Sequence, residues 1–337
     1  MSEIRLTLEA LQKLAESILV AHNTSELNAT QVATAITLAE ADGQNGHGAS
    51  RIPSYAAQSI SGKVDGYAVP VCIQITHAAV SVDARSGFAY PALNLAIENL
   101  CKLAPISGIA AATIGNSHHS GVAGHHVEAL AKEGLIGLSF GNGPVAIAPW
   151  GGNMGVFGTN PLAFAAPREN RPPLIIDMSL SKVARGKINV ASQNGETIPE
   201  GWAVDVEGKP TTDPQEALKG TMVPMGDAKG AQLVLMVEIL AAALSASQFG
   251  FEASSFFTGQ GSSPHVGQFL IAIAPDLFSK NRFNNRLDEL LAQIEIQPGA
   301  RLPGERRFEK RKLAQLSGII LPSVLVNELE DLANHSV

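Results

Sequence analysis

The chain has 337 residues, 45% of them apolar and 16% charged, with a formal net charge of −7 from 24 Lys and Arg against 31 Asp and Glu. That length can bury a substantial core and sets a prior of about two domains, and the composition excludes a disordered chain. The mildly acidic balance, with no basic stripe, speaks against nucleic acid and anionic membranes as partners. Cys72 and Cys101 are isolated, too few for a disulfide framework or a Cys-rich zinc site. The start, MSEIRLTLEALQKL, is charged and periodic and carries no apolar core of a secretory signal. The longest apolar stretch, Ala231 to Ala246, holds Glu238 and is too short for a membrane span, so it reads as a buried helix. The expectation is a soluble, cytoplasmic α/β protein.

In chain order, Leu8, Leu11, Leu14, Ala15, Ile18 and Leu19 recur at helical spacing and predict a helix with one buried face. A second helix should start at Asn28 as N-cap, with Gln31 three residues on and Leu27 against Val32, and run toward Ala41. It breaks at Asp42-Gly43-Gln44-Asn45-Gly46-His47-Gly48, too glycine-rich for a helix interior, and Pro53 opens another short helix after Arg51. Strands are expected over Val71–Thr76, Ala79–Asp83, Gly108–Ile114, Gly134–Phe140, Leu174–Asp177 and Gln268–Ala274. Helices are expected over Tyr90–Leu103 and Val122–Lys132. Residues 141–161 are crowded with Gly, Pro and Asn, a loop long enough to be functional. Beyond about residue 280 the chain is helical again, with Leu287, Leu290, Leu291 and Ile294 on one face.

There is no G-x-G-x-x-G after a strand, no G-x-x-x-x-G-K-S/T and no G-x-S-x-G, so ordinary Rossmann, P-loop and hydrolase-elbow sites are unsupported. The histidines are the strongest signal. Asn116-Ser117-His118-His119-Ser120-Gly121-Val122-Ala123-Gly124-His125-His126 leaves a predicted strand and enters a helix, where free backbone N–H groups favour anionic ligands. One of these imidazoles could be an acid, a metal ligand or a donor to phosphate, or the pairs could be ordinary helix residues. His47 and Arg51, four residues apart, form a second cluster that could bind a carboxylate and deliver a proton, or be a glycine-rich turn with a surface salt bridge. Asp177, Ser179, Arg185 and Lys187 lie in IIDMSLSKVARGK, Asp227 and Lys229 in GDAKG before the apolar helix, and Glu305, Arg306 and Arg307 in PGERR. Each could rim a ribose or phosphate, and each could be a capped helix start or a solvated face.

Taken together, GHGASR, NSHHSGVAGHH, APWGGNMGVFGTNPLAF, IIDMSLSKVARGK, GWAVDVEGKPTTDP, PMGDAKGA and LPGERR resemble the type 2 malate/L-lactate dehydrogenase family. That family also holds ureidoglycolate and sulfolactate dehydrogenases and cyclic imino acid reductases, and the resemblance covers nearly the whole chain. It implies an α/β, non-Rossmann fold: a central mixed sheet with a helical domain formed by both chain ends. Residues 1–66 with 280–337 would be that helical domain, and residues 67–279 the cofactor-binding domain. It also implies NADPH or NADH as cofactor and a homodimer with the active site near the subunit contact. By motif, His47 would be the proton donor with His119 its rival. Arg51 would hold the substrate carboxylate, and Thr159 would lie near the substrate. His119, Ser120, Gly121, Val122 and Ala123 would line the cofactor. Asp177, Met178 and Ser179, then Lys229 and Gly230, then Gly304, Glu305, Arg306 and Arg307 would complete its site. Gly46 and Lys187 stand where the family's piperideine-2-carboxylate reductases have Ser and Asp.

The resemblance implies hydride transfer between a nicotinamide and the carbon alpha to a carboxylate, with a histidine handling the proton. The first expectation is reduction of a small 2-imino carboxylate, delta-1-pyrroline-2-carboxylate to L-proline, which needs one arginine. The alternative is a 2-hydroxy acid dehydrogenase acting on malate, lactate or sulfolactate, toward which Lys187 points. Outside that class stands a metal-dependent hydrolase or lyase built on His118, His119, His125 and His126. NADPH is favoured because Arg185, Lys187, Lys229 and Arg306 are available for a 2′-phosphate.

Overall fold

Short side chains open the helices at the start of the chain, and the computed structural model describes residues 2–334. After strand β1 (Glu3–Leu6), Thr7 accepts from Ala10 N–H and starts α1 (Leu8–Ala21), whose Leu11, Ala15, Ile18 and Leu19 are buried as the periodicity predicts. The second helix, α2 (Glu26–Ala41), starts earlier than expected. Ser25 is its N-cap, accepting from Asn28 N–H, and Asn28 lies inside the helix. The Asn28 side chain instead donates to the carbonyls of Gly66 and Ala68, a long-range pairing that no local capping pattern reports. The glycine-rich break is two short 3₁₀ turns, Asn45–His47 and Ala49–Arg51, which lead directly into α3 (Ile52–Ile60) with Pro53 in its first turn.

Strand β2 (Val71–Thr76), β3 (Ala79–Asp83), α4 (Ala89–Ser107), β4 (Ile109–Ser117), α5 (Ala123–Lys132) and β5 (Ile136–Gly141) follow in the expected order. The later half adds β6 (Leu162–Ala166), β7 (Leu174–Met178) and α6 (Arg185–Asn194). A small three-stranded sheet comes next, from β8 (Ala203–Val204), β9 (Pro210–Thr211) and, after α7 (Pro214–Lys219), β10 (Thr221–Met222). Helix α8 (Asp227–Glu238) continues into a π-helical turn, Ile239–Ala243. Only one side of this apolar stretch is buried: Val234, Val237, Glu238, Ala241 and Ala242 face inward, whereas Leu235, Met236 and Ile239 are exposed. Then come β11 (Val266–Ile273), α9 (Pro275–Ser279), α10 (Phe283–Glu295), α11 (Glu305–Ser317), β12 (Ile319–Pro322) and α12 (Ser323–Asn334). On α10 only Leu291 is buried, and Leu290 is exposed, so the apolar face expected there is narrower than its spacing implies.

The main sheet runs β2-β3-β4-β11-β5-β6-β7, with β3 and β4 parallel and every other neighbour antiparallel. Helix α4 covers one face through Leu93, Ala96 and Leu100, while Leu180, Ile188, Met222, Val234 and Val237 pack on Phe140 from the other. A separate core joins α1, α2 and α3 to β12 and α12, with Leu11, Ile36, Tyr55, Leu321 and Leu329 fully or nearly fully buried. The strand directions decide where chemistry can occur. Val266 pairs with Ser117, Gln268 with Gly141, Phe140 with Leu162 and Leu162 with Met178. The ends of β4, β5 and β7 and the starts of β6 and β11 therefore share one edge of the sheet. Loops leaving that edge, with the turn before α3, build the site.

Candidate active site

One cavity of about 700 Å³ takes in His47 and Arg51 from the turns before α3, and His119 to Ala123 from the loop after β4. Asn142 to Ala146, Thr159, Asp177 and Ser179 come from the strand ends, Arg185 and Asn189 from α6, and Phe256 and Phe257 from the segment before β11. Residues as far apart in sequence as His47 and Phe257 are thus brought together, among them both proton-transfer candidates and the expected carboxylate anchor. Met178, Lys229, Gly230 and Gly304 to Arg307 do not line it. Gly304 packs against Ile175 of β7, and Arg307 reaches Asp177, so the α11 start lies against the strand whose end meets the cavity. Lys229 is exposed on the first turn of α8. Lys187 is also exposed, and the space beside Gly46 is open.

The histidines form a chain. His47 Nδ1 and His119 Nε2 are 3.2 Å apart with the rings stacked at 5.1 Å, and His119 Nδ1 lies 2.5 Å from the Tyr55 hydroxyl. Tyr55 in turn meets the Tyr90 hydroxyl at 3.2 Å. Because His119 uses both nitrogens and His47 only Nδ1, the chain can run in either sense, which leaves His47 Nε2 as a donor or as an acceptor. Burial, then the nearby Arg51 charge, lowers the His47 pKa to about 4, so the ring is neutral at pH 7. Burial also lowers His119 well below the usual imidazole range and His118 to about 3. His118 Nε2 donates to Gln58 Oε1 at 2.9 Å.

Arg51 is held by two contacts that leave its fork open. Its Nε donates to Gly46 O at 2.7 Å, and its guanidinium carbon lies 4.3 Å over the Phe257 ring. Its Nη1 is buried with no hydrogen-bond partner. A buried donor left unpaired is costly unless a ligand supplies the acceptor, and a carboxylate matches the planar fork.

Across the α5 start lies a second set of charges. Asp177 Oδ2 accepts from Gly124 N–H at 3.0 Å, capping α5 from another strand, and from Arg307 Nη2 at 2.6 Å. Arg311 holds Asp42 through Nε and Nη2 at 2.6 and 2.8 Å, and Glu128 at 2.5 and 2.8 Å, while His125 Nε2 meets Asp42 at 2.9 Å. His126 Nε2 donates to Ser120 O at 2.8 Å. The four histidines of the 116–126 segment thus turn to different hydrogen-bond partners, none shared between them. Among the described residues no group of three or more His, Cys, Asp or Glu is placed to hold a metal ion.

The residues present fit a dinucleotide. Gly121 has φ +66° and sits where a Cβ would come within 2.6 Å of the Tyr90 hydroxyl, so only glycine keeps that backbone in place. Gly124 likewise has no room for a side chain against Arg307. Arg307 Nη1 is buried without a partner beside the first turn of α5, where negative charge is favoured.

Sequence reasoning missed Tyr55, Gln58, Lys63, Phe256 and Phe257. Arg51, Tyr55 and Gln58 fall at i, i+4 and i+7, a helical stripe on which Arg51 lines the cavity while the buried Tyr55 and Gln58 hold His119 and His118, and that spacing could have revealed the first two. The paired phenylalanines in ASSFFTGQGSS offer no periodic signal at all.

A mixed sheet with one loaded edge and a neutral histidine beside an open arginine fork fit the class to which its relatives assign the chain, the NAD(P)-dependent oxidoreductases. Residues 6–330 match the malate/L-lactate dehydrogenase family, and the chain belongs to it. It is 47% identical over 324 residues, 96% of each chain, to the (2R)-3-sulfolactate dehydrogenase (NADP(+)) of Chromohalobacter salexigens. It is 38% identical over 330 residues, 98% of this chain and 97% of the other, to a delta-1-pyrroline-2-carboxylate/delta-1-piperideine-2-carboxylate reductase of Pseudomonas putida. The crystal structure of delta-1-piperideine-2-carboxylate reductase from Pseudomonas syringae superposes with a TM-score of 0.92 at 38% identity, covering 98% of this chain and 99% of that one. Among the described residues no helix is long and apolar enough to cross a membrane.

Proposed function

We propose that the protein interconverts a small 2-hydroxy carboxylate and its 2-oxo acid with NADP(H), with a 3-sulfonated acid as the first candidate substrate. The observation that carries this is the neutral His47, held through Nδ1 by His119, beside the unpaired Nη1 of Arg51 in one cavity. A nicotinamide held along Ser120 to Ala123 and Ser179 would supply or take up the hydride at C2. Arg51 holds the carboxylate bidentately and so fixes C2. His47 Nε2 accepts the hydroxyl proton as the C–H bond breaks, and gives a proton back to the oxygen in the reverse direction. A substrate carboxylate on Arg51 cancels one of the two main causes that depress the His47 pKa, so binding raises the proton affinity of the group that must take the proton.

The 47% identity to a sulfolactate dehydrogenase supports a second anionic group on the substrate. So does Arg185, whose Nη1 and Nη2 make only long bonds, 3.4 Å to Val145 O and 3.2 Å to Leu218 O, in the same cavity. Asp177 is already engaged by Arg307, which leaves it poorly suited to the ribose hydroxyl of NAD and supports NADP(H). The second reading is reduction of a cyclic 2-imino carboxylate such as delta-1-pyrroline-2-carboxylate. The apolar wall of Phe256 and Phe257, which suits ring methylenes, favours it. The helical assembly of residues 1–66 with 280–337 and the homodimer belong to the same proposal. The test is a panel of sulfolactate, malate, lactate, their 2-oxo acids, pyrroline-2-carboxylate and piperideine-2-carboxylate with NADP(H) and NAD(H), followed at the nicotinamide absorbance. The highest kcat/KM is expected for the sulfonated pair with NADP(H). Turnover of the cyclic imines alone would replace the first reading by the second.

A further inference from the structure

We infer that Lys63 is a positioning residue, whose buried ammonium fixes the aromatic segment 253–260 against the substrate-binding arginine. Lys63 follows α3 and is 2% exposed. Its Nζ donates to the carbonyls of Ser255, Thr258 and Gln260 at 2.6, 2.9 and 2.7 Å. An ammonium has three donors, and here three backbone carbonyls saturate them. Removing such a charge from water is expensive without partners, so a short surface turn would not need a lysine in this position.

What the three carbonyls frame is the reason to look further. Between Ser255 and Thr258 stand Phe256 and Phe257, both lining the cavity. Phe257 supports the Arg51 guanidinium at 4.3 Å, and Phe256 lies 5.3 Å from the His118 ring and 5.1 Å from the His119 ring. Residues 251–265 form no regular helix or strand, so nothing in their own backbone ladder holds the two rings in place. Gln58 of α3 adds a second tie, its Nε2 donating to Phe256 O at 3.0 Å. Helix α3 and its ends thus carry Arg51, Tyr55, Gln58 and Lys63: the anchor, the histidine support and both holds on the wall facing them. Lys63 acts on the substrate only through Phe257 and Arg51, and its effect belongs in substrate affinity.

This inference rests on Arg51 as the carboxylate anchor. The experiment compares Lys63→Met and Arg51→Lys with the unaltered protein, on whichever acid the panel identifies. Lys63→Met should raise KM by about tenfold, with kcat changed less and cofactor Kd unchanged. Hydrogen exchange should quicken in residues 253–260 and stay unchanged in the main sheet. Phe257→Leu should reproduce the rise in KM. A normal KM in Lys63→Met, or a rise in KM matched by an equal loss of cofactor affinity, overturns the inference. If Lys63→Met does not fold, Lys63→Gln, which keeps two donors, is read in the same way. Failure of both to fold also overturns it, since Lys63 would then be a folding determinant. The control separates the two ideas. A normal KM in Arg51→Lys sinks the anchor itself, whereas a raised KM there with a normal one in Lys63→Met sinks only the role of Lys63.

Discussion

Two regions of this molecule hold buried histidine and arginine, and they treat them in opposite ways. At the corner where α2, α5, β7 and α11 meet, Arg311 grips Asp42 and Glu128, His125 closes on Asp42, and Arg307 on Asp177. Opposite charges there are matched bond for bond. At the end of α3, the histidines are neutral and stacked, and Arg51 has no carboxylate beside it, only a carbonyl, an aromatic ring and an orphaned Nη1. A saturated set of buried charges is structure, because nothing more can bind without breaking it. An unsaturated one is a site, because a ligand completes it. Arg307 bridges both kinds, with Nη2 committed to Asp177 and Nη1 unpaired.

The largest effect that sharpens this contrast is on rate. His47→Ala should lower kcat by about a hundred- to ten-thousand-fold, the usual span for a general acid–base, with cofactor affinity intact. Single-turnover kinetics at saturating cofactor would measure it. If His119→Ala matched that loss while His47→Ala did not, the two imidazoles would exchange roles.

The converse experiment is on the saturated corner. Arg311→Leu leaves Asp42 and Glu128 buried with too few partners and should destabilise the protein by about 3–5 kcal/mol in denaturant titration. Catalysis in the surviving folded fraction should be little changed. A mild effect on stability with a large one on kcat would erase the distinction between the regions.

The most gradual effect, smallest per step of the variable, is the pH dependence. His118 and His126 have folded pKa values lowered by burial to about 3 and about 4, below the usual unfolded imidazole value. Their neutral burial is therefore fully tolerated above pH 6.5 and becomes a penalty as pH falls, because the unfolded chain takes up protons that the folded one refuses. Each should remove about 1.4 kcal/mol of stability per pH unit between pH 6 and 4. Urea midpoints across that range test it, and a flat profile would mean that these rings are charged in the fold. The Arg311 ion pairs add to the slope only below about pH 5, where unfolded carboxylates begin to take up protons that Asp42 and Glu128, held below the usual carboxylate range by their arginine, refuse.

How much of this could be read from residues alone follows the range of the interactions. The helix over Leu8–Ala21 and the strands over Val71–Thr76 and Ala79–Asp83 announce themselves because their signals are local periodicities. The motifs around His47, Arg51 and His119 were visible because glycines and histidines cluster in sequence where the backbone must turn. Strand β6 went unseen, since Leu162–Ala166 is only five residues beside a proline-rich loop. The second helix start was misjudged because both Ser25 and Asn28 can cap, and only the distant carbonyls of Gly66 and Ala68 decide that Asn28 has other work. The pairing of His125 with Asp42, and of Lys63 with the 255–260 carbonyls, joins segments that no spacing rule connects.

One further consequence follows from β1. Glu3–Leu6 pairs with Ile319–Pro322 in a two-stranded sheet, and the core that seats Tyr55 is closed by Leu321, Val326 and Leu329. During synthesis, at about 5–20 residues per second, the helices carrying Arg51 and Tyr55 emerge early and then wait on the order of tens of seconds for their lid. Through that interval the core that α1, α2 and α3 share lacks the side closed by Leu321, Val326 and Leu329, and loop closure over so long a span is slow. The nascent chain is therefore most prone to aggregate between the emergence of α3 and that of α12. It is also inert then, so the cell receives activity only from chains that have been finished.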